Sequence, residues 1–197
     1  MQKRGLILRI VPYSDSSRII KCLVDGEGLQ SFFLRLSKKQ GGAGHLQTGH
    51  FIEFAISEQS KGIKAIKESR LDSALGANFL NPTSYAVWLF TLELLNKSLQ
   101  EDFNIPGLSK SIDTYYSHLS HSTICNDPII PLLMLSKAFG IFDNKSLAIN
   151  AHTDALEGLN KIGLQTPTSD HTVDFAQVLN VFKNHFGIHS LESEDLL

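Results

Sequence analysis

Twelve of the eighteen lysines and arginines in this 197-residue chain fall within its first seventy positions: Lys3, Arg4, Arg9, Arg18, Lys21, Arg35, Lys38, Lys39, Lys61, Lys64, Lys67 and Arg70. The chemistry open to such a set is charge neutralisation. Cationic side chains placed against phosphates release condensed counterions, a sequence-independent contribution to affinity that weakens with salt. Six acidic residues oppose the twelve over the same stretch, leaving it at +6, while residues 71–197 hold six basic and fourteen acidic side chains, or −8. That asymmetry points to a polyanion-binding half joined to a half with another task. The plainer alternative is a basic surface that contacts the acidic half. Tyr13 and Phe33 add aromatic rings that could stack on unpaired bases, although burial is the commoner fate of a phenylalanine.

Other chemistries find little support. No Gly-x-x-x-x-Gly-Lys loop, Gly-x-Gly-x-x-Gly fingerprint or Gly-x-Ser-x-Gly elbow occurs. Gly41-Gly42-Ala43-Gly44 resembles a phosphate cradle only in composition, since no helix signal follows it. His118-x-x-His121 near Cys125, and His185 with His189, have spacings a metal could use. Surface histidines at helix ends explain them as well, and further ligands are not evident. Asp143, Asp154, Glu157, Asp170 and Asp174 are scattered rather than paired for acid–base work. The reading is therefore of a binding protein, with no metal, no cofactor and no catalytic residue.

The elements that must carry the cations alternate with a period of two up to about residue 70. Leu6–Val11, Ile19–Val24, Leu29–Leu36, Phe51–Ile56 and a weaker Ile63–Lys67 read as five strands. Asp25-Gly26-Glu27-Gly28 makes a hairpin-like turn between the second and third. In the third run Phe32, Leu34 and Leu36 share one face, and Ser31, Phe33 and Arg35 the other. Phe32, Phe51 and Phe54 read as core. Ser37–Gly44 reads as a mobile basic loop. Five short strands fit a small barrel of the OB type, a pattern other small barrels share.

Beyond residue 70 the period becomes helical. Asn81-Pro82 is a start signal, with Asn as N-cap and Pro in the first turn. Tyr85, Trp88, Leu89, Leu92, Leu95 and Leu99 then form a stripe, and Leu108, Ile112, Tyr115, Tyr116 and Leu119 a second. Asp127-Pro128 opens a nearly all-apolar helix that Gly140 stops, a helix expected at the centre of its domain. Residues 153–161 predict a short helix, and Thr172-Val173-Asp174 starts a last one with the stripe Phe175, Leu179, Phe182, Phe186. The fold class expected is α+β in two parts: an N-terminal five-stranded OB-type β-barrel over residues 1–76, basic and polyanion-binding, then an all-α helical domain over 77–197.

Location follows from what is missing. No stretch reaches the roughly 20 apolar residues of a membrane span, and Leu6-Ile7-Leu8 is too short for a signal-peptide core. Cys22 and Cys125 are the only cysteines, so no disulfide framework is implied. The expectation is a cytoplasmic protein with no membrane contact, nucleoid-associated where its polyanion is DNA.

The residues also suggest a family. Gly5-Leu6-Ile7-Leu8-Arg9, then Tyr13-Ser14-Asp15-Ser16-Ser17-Arg18-Ile19-Ile20 and Gly28-Leu29-Gln30-Ser31, resemble the opening of RecO, the bacterial recombinational DNA-repair mediator. Arg35, Lys38 and Lys39 match the family's basic loop. His45-Leu46-Gln47 with Phe51-Ile52-Glu53-Phe54 resembles its Leu-Gln-Pro segment, with Thr48 where proline is usual. Tyr85, Leu92-Glu93-Leu94-Leu95 and Gln100-Glu101-Asp102 resemble its first long helix and acidic turn, and His185–Leu191 its terminal glycine-containing turn. The resemblance implies an OB fold followed by helices, binding of single- and double-stranded DNA, strand annealing, and help in loading recombinase on protein-coated strands. It implies RecR and the acidic C-terminal tail of single-stranded DNA-binding protein as partners. Three departures stand beside it. The chain is short for the family, it lacks the cysteines of the zinc site some members carry, and Glu192-Ser193-Glu194-Asp195 is acidic where basic residues are common. An alternative from another class is an adaptor whose barrel or helices bind acidic protein segments without significant DNA binding.

Overall fold

The computed structural model describes residues 2–36, 46–57, 62–72, 80–101, 103–121, 127–141 and 175–193. Lys38, Lys39, Lys61, Cys125, the glycine-rich loop and the helix expected over 153–161 lie outside them. The chain divides into two units, Met1–Asn78 with Leu99–Ser109, and Phe79–Ser98 with Lys110–Leu197.

In the first unit five strands close a barrel: β1 (Gln2–Ser14), β2 (Ser17–Val24), β3 (Gly28–Arg35), β4 (Phe51–Ile56) and β5 (Ala65–Leu71), in the order β1-β2-β3-β5-β4. All neighbours run antiparallel except β3 and β5, whose parallel pairing is confined to Phe33↔Ala65 and Leu34↔Ile66. The long β1 serves two neighbours. Its first residues pair with β4, and from Gly5 onward it pairs with β2, with register shifts at Ile7/Arg9 and Pro12/Ser14. Such bulges bend a strand and raise its twist, which lets one strand turn a barrel corner.

Alternation places the even positions of β2 and β3 inside. Ile20, Cys22, Phe32 and Leu34 meet Ile7, Ile52, Phe54 and Ile66 in one buried cluster. The Phe32 and Phe54 rings lie edge to face with centroids 5.0 Å apart, a geometry worth something beyond area burial. Phe51 is buried as well. The fifth strand begins later than the apolar pattern suggests: Ile63 lies outside it and is exposed, and β5 runs on through Arg70 to Leu71. Its Lys67-Glu68-Ser69-Arg70 run is carried by pairing with β4 rather than by apolar alternation.

The second unit contains α1 (Pro82–Ser98), most of α2 (Leu108–His121), α3 (Ile129–Ala138) and α4 (Phe175–Phe186). Asn81 Oδ1 accepts the Ser84 N–H at 2.9 Å, the N-cap that the Asn-Pro pair predicts. The stripe expected along α1 is too narrow. Tyr85 is exposed, whereas Val87, Phe90, Thr91 and Leu94 join Trp88, Leu92 and Leu95 in burial. Two hydroxyls thereby buried are satisfied within the helix, Thr91 by the Val87 carbonyl at 2.8 Å and Ser98 by the Leu94 carbonyl at 2.7 Å. Helix α3 is buried from Ile129 through Ser136 and packs on α1 and α4, as its all-round apolar sequence requires. Gly140, at φ 68°, ends it. Phe139 meets Phe182 and Phe186 of α4 at 6.2 and 4.8 Å.

One carboxylate ties the chain's far end to α1. Glu93 accepts the Glu192 and Ser193 N–H groups at 2.8 Å and also the Ser193 hydroxyl, and it pairs with Lys97, which donates to the Ser190 carbonyl. Burial raises the Glu93 carboxyl, but these hydrogen bonds outweigh it and hold its pKa down at about 2.

Candidate nucleic-acid interface

The barrel sorts the basic residues into two sets. In the first, charge is met inside the unit. Lys3 pairs with Glu27, and Arg70 with Glu53. Arg4 Nε donates to the buried Asp72 at 2.6 Å and its Nη1 to Asp25 at 3.0 Å, while the guanidinium lies 5.5 Å from the centre of the Phe51 ring. Lys21 lies 3.5 Å from Glu101.

In the second set no carboxylate partner is found among the described residues. Arg9, Arg35, Lys64 and Lys67 are exposed. Arg18 is half-buried and donates to the Ser14 and Ser17 carbonyls at 2.8 and 2.9 Å, which fixes its guanidinium at the β1–β2 turn without neutralising it.

Strand register places part of this second set on one face. Residues directly opposite each other on paired strands share a face, so the outer surface of β1, β2 and β3 reads in rows. Arg9, Lys21 and Ser31 form one row. Val11, Ile19, Phe33 and Ala65 form the next, and Ser14, Ser17 and Arg35 the one after. Tyr13 is 70% exposed and sets its ring edge-on to Phe33, with centroids 5.7 Å apart. The two aromatics singled out by type are therefore a contiguous pair. Arg9 and Lys21 lie in the row on one side of them and Arg35 in the row on the other, and Lys64, whose carbonyl accepts the Phe33 N–H at 2.9 Å, borders them at the entry to β5. Lys67 lies further along β5, and Lys3 and Arg4 lie where β1 pairs with β4, away from this face.

Sequence reasoning missed several participants. Val11 and Ile19 are half-buried apolar residues between the cations, and their odd position in the alternation was the available signal. Ser31 and Glu101 were not assigned to any site. Glu101 reaches the barrel because residues 99–109 return to it: a parallel bridge joins Leu29 to Glu101, the Ser31 hydroxyl donates to Glu101 at 2.6 Å, and Asn104 Nδ2 donates to the Gly26 carbonyl at 2.9 Å. Gly28 admits this arm. Its φ is 79°, and a Cβ there would lie 2.3 Å from the Phe103 carbonyl oxygen.

The surface can bind a polyanion and offer rings to bases. Among the described residues no group of three or more His, Cys, Asp or Glu side chains could hold a metal, and no helix is long and apolar enough to cross a membrane. Residues 1–74 match the family model described as Recombination protein O N terminal. The chain is similar to the DNA repair protein RecO of Flavobacterium psychrophilum, with 23% identity over 165 residues, covering 81% of this chain and 69% of that protein. It is similar also to the DNA repair protein RecO of Flavobacterium johnsoniae, with 22% identity over 189 residues, covering 91% and 78%. The match spans the whole barrel, and the resemblance to the RecO family that the sequence carries is borne out.

Proposed function

We propose that this protein acts in DNA repair and recombination, binding single- and double-stranded DNA through the outer face of β1–β3, promoting strand annealing and helping to load recombinase on protein-coated single strands. The observation that carries the reading is the Tyr13–Phe33 pair standing between Arg9, Arg35 and Lys64, cations with no carboxylate partner among the described residues. OB folds commonly bind oligonucleotides on the strand 2–3 face and its adjoining loops; Phe33 and Arg35 lie on β3, and Arg9 and Tyr13 on the adjoining β1. Similarity to two DNA repair proteins supports the same role.

In this reading residues 1–76 are the DNA-binding domain and 77–197 the helical domain. Arg9, Arg18, Arg35, Lys64 and Lys67 are the principal phosphate contacts, with Lys38, Lys39 and Lys61 as further candidates. Lys3, Arg4 and Lys21 contribute less, because carboxylates already meet their charge. Two phosphate backbones held near one cationic face repel each other less, which eases strand pairing, while the aromatics hold bases unstacked. No step requires covalent catalysis. RecR and the acidic tail of single-stranded DNA-binding protein are the proposed partners.

A labelled single strand titrated across salt concentrations tests this. Replacing Arg9, Arg35 and Lys64 by Gln should flatten the log–log salt slope by about 0.7 for each phosphate that is no longer neutralised. Lys3→Gln, which removes a paired charge, should change it by much less. Equal effects from the two sets, or no binding at low salt, would refute the assignment.

A further inference from the structure

The row Arg9–Lys21–Ser31 is arranged unlike the rest of the face. Arg9 and Lys21 are direct cross-strand partners, and like charges so placed repel and destabilise the pair. Ser31 is the next partner along, on β3. One carboxylate answers two of the three: Glu101 accepts from the Ser31 hydroxyl at 2.6 Å and lies 3.5 Å from the Lys21 ammonium. Its side chain is itself about half exposed, at 51%, so the contact is open to exchange with solvent ions. Glu101 is delivered by an arm whose hold on the barrel does not depend on its charge. The Phe103 backbone seats on Gly28, Asn104 bonds the Gly26 carbonyl, and Leu99 and Leu108 are buried at the two ends.

We infer that Lys21 Nζ and Ser31 Oγ, with Arg9 beside them, form a phosphate-binding site that Glu101 occupies in cis, so that the carboxylate competes with the nucleic-acid backbone on the β1–β3 face. A carboxylate and a backbone phosphodiester both present singly charged anionic oxygens to an ammonium and a hydroxyl, so one can replace the other against the two positive charges of Arg9 and Lys21. Glu101 neutralises only part of that charge, and it adds repulsion for a strand lying on the neighbouring Tyr13–Phe33 row. The inference rests on the barrel face being the nucleic-acid surface. It adds that the arm limits affinity there, and that Lys21 contributes only when Glu101 gives way.

The test is fluorescence anisotropy of a fluorescein-labelled thymidine oligonucleotide with the full chain at several salt concentrations. Glu101→Gln keeps an acceptor for Ser31 and removes the charge. It should tighten binding by about two- to fivefold at low salt, the size of one exposed ion pair, and steepen the salt slope by about 0.7. Glu68→Gln, which removes an exposed charge on β5, should do neither. Lys21→Gln should cost little in the parent and several-fold more beside Glu101→Gln. An unchanged or weakened Glu101→Gln protein overturns the inference, as does an equal gain from Glu68→Gln or an equal cost of Lys21→Gln in both backgrounds. Should Glu101→Gln fail to fold, Lys21→Gln alone decides: a large drop in the parent's affinity overturns the inference, and a small one supports it. Binding by the parent without the predicted coupling sinks this inference alone. No binding by any variant sinks the reading of the face along with it.

Discussion

The β2–β3 turn offers a paired experiment, because two glycines in it share a backbone conformation and differ in what lies above them. Gly26 and Gly28 have φ of 73° and 79°. An L-residue in this region costs roughly 1–2 kcal/mol, so that part of the penalty is common to both. A Cβ on Gly26 meets nothing within 4 Å, whereas one on Gly28 would lie 2.3 Å from the Phe103 oxygen, 2.8 Å from its carbonyl carbon and 3.0 Å from Asn104 Cα. All three atoms are backbone, so no side chain can rotate aside. The arm must lift, and lifting it strains the Asn104–Gly26 and Ser31–Glu101 hydrogen bonds, each worth about 1 kcal/mol net. Gly26→Ala should therefore destabilise by about 1–2 kcal/mol and Gly28→Ala by about 3–4 kcal/mol. Urea unfolding followed by far-ultraviolet circular dichroism should separate the two midpoints by about 1 M, given a slope of about 1–3 kcal/mol per molar for domains of this kind. Equal midpoints would refute the close seating of the arm on the barrel.

Other outcomes follow from titratable groups that the fold perturbs. The Glu93 carboxyl lies at about 2 against an ordinary 4.5, so its stabilisation is present above pH 4.5 and is lost as pH falls toward 2. Glu93→Gln should cost about 1–2 kcal/mol at neutral pH once water screens a carboxylate at the unit's surface. It should also flatten the thermal stability profile between pH 4.5 and 2; parallel profiles for variant and parent would refute the role of its hydrogen bonds. Burial pushes the Cys22 thiol far above its ordinary range. In a Cys125→Ser background Cys22 should then resist an aromatic disulfide reagent at pH 8 until the barrel unfolds, and rapid labelling of native protein would contradict its position.

Much of the barrel is legible in the sequence because a half-buried strand must alternate. Phe32 and Leu34 turn inward and Phe33 and Arg35 outward as their period of two requires. The helix starts at Asn81 and Asp127 are similarly local, since a capping side chain needs only the next two or three residues: Asp127 Oδ1 accepts the Ile129 N–H at 2.9 Å. Legibility fails where packing overrides the local pattern. Strand β5 is displaced toward Leu71 because pairing with β4 extends a polar run that carries no apolar signal. The stripe on α1 widens because that helix is covered on most of its circumference, which leaves little polarity contrast to read.

The candidate site divides along the same line. The basic excess over residues 1–70 and the choice of Tyr13 and Phe33 come from composition and strand parity, and both are properties of a short stretch of chain. Which cations remain open to a ligand is a long-range matter. Arg4 meets Asp72 across 68 residues, Ser31 meets Glu101 across 70, and Lys3 meets Glu27 across 24. Contacts of this kind depend on distances of a few ångströms between residues remote in sequence. No local period encodes them, so only the closed barrel and the returning arm decide which charges are answered and which face outward.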